Sequence, residues 1–251
     1  MQADIGVIGG SGLYSLLDDV TEVRVETPYG PPSAPITIGE VGGRRVAFLP
    51  RHGVDHTLPP HLVPYRANLW ALHHVGVRAI FGPCASGSLQ PTIRPEEFVV
   101  LDQVFDRTYG RATSYFDGPK INHVSFADPY HPTLRAAAIE ACRAEGVTVH
   151  ETGTVVVING PRFSSRAESR WYSAQGWHVV NMTQMPEAVL AAELEVPYAA
   201  IALITDYDVG LEGEAGIEPV TMDEVFATLA RNADRVRNVL FRAIEQLPAT
   251  I

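Results

Sequence analysis

Asp206 and Asp208, two residues apart at the end of the run "ALITDYDVGL" (202–211), are the side chains here best suited to proton chemistry. The apolar run reads as a buried strand, and in an extended chain the two carboxylates point to the same side. Like charges held close raise at least one pKa, which suits a group that must donate a proton to a heterocycle nitrogen. A metal pair and a helix-capping loop are the competing readings, although the metal pair finds no further ligands nearby.

Three other stretches offer groups for an anion or an aromatic ligand. In "LPRHG" (49–53), Arg51 and His52 follow a strand-like run, either as an exposed arginine with a capping histidine or as a phosphate fork, since arginine presents a rigid bidentate donor. In "PCASGSL" (83–89), a Gly/Ser-rich turn could lend the Ala85 N–H to a phosphate. "GPRFSSRAES" (160–169) reads as a turn entering a helix, with Ser164 or Ser165 at the cap and Glu168 in the first turn. Phe163 there offers a face on which a base could stack.

The opening "DIGVIGGSGLY" (4–14) surrounds Ser11 with Gly9, Gly10 and Gly12, an arrangement whose backbone N–H groups can cradle an anion. A dinucleotide fingerprint requires G-x-G-x-x-G, an immediate helix and an acidic residue about 20 positions on. Here the glycines are spaced differently and "LYSLLDDV" is a weak helix that soon meets Thr27-Pro28. A phosphate or nucleoside loop and a plain tight turn fit better.

These groups need a scaffold. Strand-like runs recur at 5–8, 35–39, 45–49, 78–82, 97–105, 154–158, 178–182 and 199–205, with helical periodicity at 65–75, 132–145, 166–176, 186–195 and 222–246. The alternation predicts an α/β fold, a single domain over 1–251 with a mixed central β-sheet flanked by helices. The polar clusters fall at the carboxyl ends of the strands, where open α/β sheets bind ligands.

At 251 residues the chain can bury roughly 70–75% of its unfolded surface. A net charge of −10 gives no electrostatic footprint for nucleic acid or anionic lipid, and no apolar stretch approaches the ~20 residues that span a bilayer. Two cysteines, Cys84 and Cys142, and Asp4 in place of a basic leader segment lead to the expectation of a reducing, cytoplasmic setting without disulfides or structural zinc.

Taken together, "IGVIGGSGLY", "LPRHGVDHTLPP", "VPYRANLWAL", "GPRFSSRAES" and "NMTQMPEAVLAAELEVPYAAIALITDYD" resemble the trimeric purine nucleoside phosphorylases, specifically their methylthioadenosine phosphorylase branch, over most of the chain. The resemblance implies the nucleoside phosphorylase fold and phosphorolysis, with orthophosphate as co-substrate and neither metal nor organic cofactor. It assigns phosphate contacts to Ser11, Arg51, His52, Ala85 and Thr183, with Cys84 standing where many relatives carry threonine. It sets Phe163, Ser164 and Met182 beside the nucleoside and Asp206 and Asp208 at the N7 and 6-substituent edge of the purine. Val220, Met222, Val225 and Phe226, with His56, fall at the 5′ end, and His123 comes from a neighbouring subunit of a homotrimer.

Asp206, where 6-oxopurine members usually show asparagine, favours adenine. The implied substrate is S-methyl-5′-thioadenosine, cleaved to adenine and 5-methylthioribose 1-phosphate. A broader purine nucleoside phosphorylase is the runner-up, and a nucleoside-binding module without catalysis is the alternative of another class.

Overall fold

A computed structural model describes residues 2–10, 13, 16–211, 217 and 221–249, and among these residues thirteen strands are interspersed with five α-helices. Ser11 and Val220 therefore lie outside the described residues. One six-stranded sheet contains β1 (Ile5–Gly9), β2 (Thr21–Val23), β3 (Ile36–Val41), β4 (Arg44–Pro50), β5 (Ala79–Phe81) and β12 (Tyr198–Ala199), in the order β12-β5-β1-β4-β3-β2. A seven-stranded sheet contains β6 (Cys84–Ser88), β7 (Phe98–Val100), β8 (Gln103–Arg107), β9 (Val149–His150), β10 (Thr154–Ile158), β11 (Val179–Asn181) and β13 (Ile201–Tyr207), in the order β8-β10-β11-β6-β13-β7-β9. The helices are α1 (Tyr65–His74), α2 (Pro132–Ala144), α3 (Arg166–Ala174), α4 (Gln184–Glu193) and α5 (Met222–Gln246).

The mixed α/β arrangement is the one expected, with the strands shared between two mixed sheets rather than gathered in one. Two places where the chain crosses between them explain the division. Gly82 and Pro83 separate β5 from β6, and Ala200 separates β12 from β13. Pro83 has no N–H to continue a ladder, and a side chain at Gly82 would begin 1.9 Å from the Tyr198 hydroxyl. The parallel pair β5/β12 thus breaks and resumes as the parallel pair β6/β13.

Alternate residues of the buried strands go to opposite faces, as strand geometry requires. Ile8, Leu49 and Ile204 pack with Leu69 and Leu72 of α1 and Leu190 of α4. Val7, Phe48 and Leu203 pack with Leu134 of α2 and with Leu240 and Ile244 of α5. Each such side chain contributes about 1.5–3 kcal/mol on burial. Helix α5 has the bounds its periodicity predicts, and the reciprocal Thr221–Glu224 capping box fixes its start beside the ligand loops.

Four sequence expectations change, the first being the run 199–205, which Ala200 splits between β12 and β13. The run 97–105 is two strands, because Asp102 leaves the ladder and accepts from the Gly153 N–H through Oδ1 (2.8 Å). Residues 16–20 of the supposed weak helix carry no helix. The Gly/Ser-rich stretch at 84–88 is no turn but strand β6, held between β11 and β13.

Candidate active site

The carboxyl ends of β1, β4, β10, β11 and β13 surround a cavity of about 530 Å³ whose floor is β6. That volume suits a small-molecule ligand. β6 carries Cys84 at one end and Gly87 three residues on, about 10 Å apart at strand spacing.

At the Cys84 end lies Arg51, 1% exposed, which rules out the exposed-arginine reading. Its Nε and Nη2 donate to the two carboxylate oxygens of Glu187 at 2.7 Å each. Nη2 also donates to the Ile8 carbonyl (3.2 Å) and Nη1 to that of Pro83 (3.1 Å). Burial favours a neutral guanidine, but the Glu187 carboxylate more than offsets it and holds the Arg51 pKa above its ordinary value. Gly10 permits this packing: a side chain there would start 2.9 Å from the Pro83 carbonyl and 3.0 Å from Arg51 Nη1.

His52 follows, with Nδ1 2.8 Å from the Leu58 carbonyl. A carbonyl only accepts, so Nδ1 carries the hydrogen and Nε2 of the neutral ring is an acceptor. Burial, then the Arg51 charge, push the His52 pKa down to about 4. Cys84 is buried, which raises its thiol pKa, and its Sγ accepts from Asn181 Nδ2 at 3.3 Å. Ala85 and Thr183 complete this wall. Thr183 holds the N-cap position of α4 without its side chain capping the helix.

At the Gly87 end are Asp206 and Asp208, brought to one cavity as the sequence pattern predicts. The pairing of β13 with β6 slips between Ile204 and Asp206, so Thr205 and Asp206 both line the cavity, which strict alternation forbids. Thr205 donates to Asp206 Oδ1 at 2.6 Å, and a side chain at Gly87 would begin 3.0 Å from Asp206 Oδ2. Burial raises the Asp206 pKa to about 6, with the charge of Asp208 adding to the effect against the Thr205 hydrogen bond. Burial also raises that of Asp208, which is 2% exposed.

Ser165, not Ser164, caps α3. It accepts from the Glu168 N–H, while Glu168 accepts from the Ser165 N–H and from both Arg162 amino groups. Ser164 is thereby left to face the cavity. Among the described residues, Ser164 Oγ and Asp208 Oδ2 are buried without a hydrogen bond of good geometry, although Ser164 and Ser169 lie near enough to Asp208 to favour its carboxylate against the effect of burial. Such atoms carry a desolvation penalty until a ligand meets them.

Phe163, Met182, His56, Met222 and Val225 line the remainder of the wall. His56 stacks on His52 (4.5 Å between centroids) and meets Phe226 edge-on (5.7 Å), so Phe226 backs the cavity through His56 instead of lining it. His123 lies exposed in irregular chain between β8 and α2, outside the wall of its own cavity. Among the described residues, no cluster of His, Cys, Asp and Glu could hold a metal ion, and no helix is long and apolar enough to cross a membrane.

Gly10, expected in the anion loop around Ser11, does line the wall, whereas Asn181 and Thr205 in the wall and Glu187 behind it had no role assigned from the sequence. Only Thr205 carried a signal, as the hydroxyl preceding the first aspartate. Glu187 sits in an apolar helical pattern that reads as ordinary core.

The family model of the phosphorylase superfamily matches residues 4–245. An S-methyl-5′-thioadenosine phosphorylase of Mycolicibacterium smegmatis is 58% identical, covering 96% of this chain and 90% of its own. A purine nucleoside phosphorylase of Streptomyces coelicolor is 56% identical, covering 100% of this chain and 91% of its own. Among solved structures, a mutant adenosine/methylthioadenosine phosphorylase from Schistosoma mansoni in complex with methylthioadenosine superposes with a TM-score of 0.90. It is 36% identical and covers 97% of this chain and 91% of its own.

Proposed function

This chain belongs to the phosphorylase superfamily, and we propose that its reaction is the phosphorolysis of S-methyl-5′-thioadenosine to adenine and 5-methylthioribose 1-phosphate. One observation carries the reading: a single cavity joins a buried, oriented guanidinium to a pair of buried carboxyls of raised pKa, with β6 leaving room for a ribose between them. The names of the relatives agree with it.

In this reading orthophosphate lies against Arg51, His52, Cys84, Ala85, Thr183 and Ser11, with His52 Nε2 accepting from a protonated phosphate oxygen. A phosphate oxygen forms the new bond to C1′ as the C1′–N9 bond breaks and its electron pair leaves with the base. Positive charge grows on the ribosyl ring, which the phosphate anion stabilises, and negative charge grows on the purine. Protonated Asp206 delivers its proton to N7, so adenine departs neutral. With a pKa of about 6, roughly one in ten Asp206 carboxyls is protonated at pH 7.

Asp208 Oδ2, buried without a hydrogen bond of good geometry, accepts from the 6-amino group, which a 6-oxopurine lacks. Phe163 and Met182 flank the nucleoside, while Met222, Val225 and His56, backed by Phe226, surround the methylthio end. No metal or organic cofactor takes part. We further propose a homotrimer in which His123 reaches a neighbouring site. Sedimentation equilibrium should then give three times the 27.3 kDa chain mass, and the mass of one chain would contradict the assembly.

The test is chromatographic detection of free base from methylthioadenosine, adenosine, inosine and methylthioinosine, each with and without orthophosphate. Phosphate-dependent adenine release, fastest from methylthioadenosine, is expected. Preference for inosine or methylthioinosine would favour the broader purine nucleoside phosphorylase, the reading that the Streptomyces coelicolor relative's name represents.

A further inference from the structure

We propose that Glu187, braced by Tyr198, is the positioning residue that aims Arg51 at the anion. The inference rests on the phosphate assignment above and names what makes that assignment work.

Arginine has five N–H groups in one rigid plane. The Arg51 contacts described above use four of them, two on Glu187 and one each on Ile8 and Pro83. Among the described residues the fifth, on Nη1, is the one left for a ligand. Nη1 lies beside Gly10, and both residues belong to the cavity wall. Because the guanidinium is planar, fixing the Nε and Nη2 edge fixes where that N–H points.

Glu187 itself is 0% exposed and absent from the wall, so it meets no substrate. Its Oε2 also accepts the Tyr198 hydroxyl at 2.7 Å, so the carboxylate is held from behind. Tyr198 reaches it because residue 82 is a glycine, where any side chain would collide with the hydroxyl. Gln184 donates to the Gly82 carbonyl (3.3 Å), and its Oε1 lies farther from the Tyr198 hydroxyl (3.1 Å) than Glu187 does, so the single hydroxyl hydrogen favours the carboxylate. The pair also cancels the formal charge of Arg51, so a bound phosphate is held by directed N–H donors more than by net positive charge.

The test compares wild type, Glu187→Gln and Tyr198→Phe by calorimetric titration with inorganic phosphate and separately with adenine, alongside the KM for each substrate. Glu187→Gln should weaken phosphate binding and raise the phosphate KM at least tenfold, with adenine binding and the nucleoside KM within twofold. Tyr198→Phe, which leaves the ion pair intact, should show the same split at about two- to fivefold, and it carries the test should Glu187→Gln fail to fold. Folded variants whose phosphate and adenine affinities move together, or not at all, would overturn the positioning role while leaving a phosphate-dependent wild-type activity standing. Wild type that binds no phosphate would overturn both.

Discussion

The two ends of the cavity solve opposite problems with buried charge. Around Arg51 the polar groups are matched within the protein: the guanidinium meets a carboxylate and two carbonyls, and the carboxylate meets a tyrosine. Around Asp206 and Asp208 the matching is incomplete, with two carboxyls of raised pKa and two buried oxygens lacking a hydrogen bond of good geometry. A satisfied network is rigid and presents a donor in a fixed direction. An unsatisfied one stores a penalty that a ligand with complementary hydrogens relieves. In the proposed reading the anion end is therefore preorganised, whereas the base end gives up stability for selectivity.

Substitutions can break that contrast one end at a time. The largest effect is expected from Asp206→Asn, which keeps the shape but removes the transferable proton. Turnover of the adenine nucleoside should fall by about 10²-fold or more, with partial admission of 6-oxopurines because an amide can donate to O6. An unchanged adenine-to-hypoxanthine preference in steady-state assays would remove Asp206 from the base edge.

Next comes Arg51→Ala, which should chiefly raise the phosphate KM, by about tenfold or more. It should also cost about 3–5 kcal/mol of stability, because Glu187 is left as an unpaired buried charge. Unaltered phosphate saturation would reduce the Arg51–Glu187 pair to a core feature.

The third effect is on stability alone. The folded-state pKa of Asp206 lies above its ordinary 3.8, at about 6, so the fold favours the protonated acid. Its stabilising share is present below pH 4 and lost as the pH rises through 6. Above that, ionised Asp206 costs at most about 3 kcal/mol. Asp206→Asn should accordingly melt several degrees higher than wild type at pH 8, with the gain gone below pH 4, as thermal unfolding at both pH values would show.

The smallest effect is expected at Ser164. Ser164→Ala removes a buried hydroxyl that makes no hydrogen bond of good geometry and has only Asp208 nearby, and should change the stability of the unliganded protein by no more than about 1 kcal/mol while weakening adenine binding severalfold. A loss well beyond that would mean that the Ser164 hydroxyl is firmly bonded to Asp208 in the free protein.

How legible the fold was followed how local its causes are. Helix α5 emerged with its full bounds because an apolar stripe and its Thr221–Glu224 cap are both written in consecutive residues, and β10 likewise from "TVVVI". Strand β6 did not, since "CASGS" has a turn's composition and becomes a strand only by pairing with β11 and β13. In the site, Asp206 and Asp208 were readable from extended-chain geometry, but Thr205 entered through a bulge that period-two reasoning cannot foresee. Glu187 was invisible because it lies 136 residues from its partner within an unremarkable helix. Phe163 stood out by type, Ser164 only through the family resemblance, and the structure adds that Ser165 caps the helix, which frees Ser164 for the cavity.

The proposed reaction joins proton donation at one end of the cavity to phosphate attack at the other. Its most direct test is the pH dependence of kcat/KM for methylthioadenosine at saturating orthophosphate, in wild type and Asp206→Asn. Wild type is expected to show a limb that falls as the pH rises above about 6, absent from a variant that is at least about 10²-fold slower. Superimposable profiles, or a variant of wild-type speed, would contradict it.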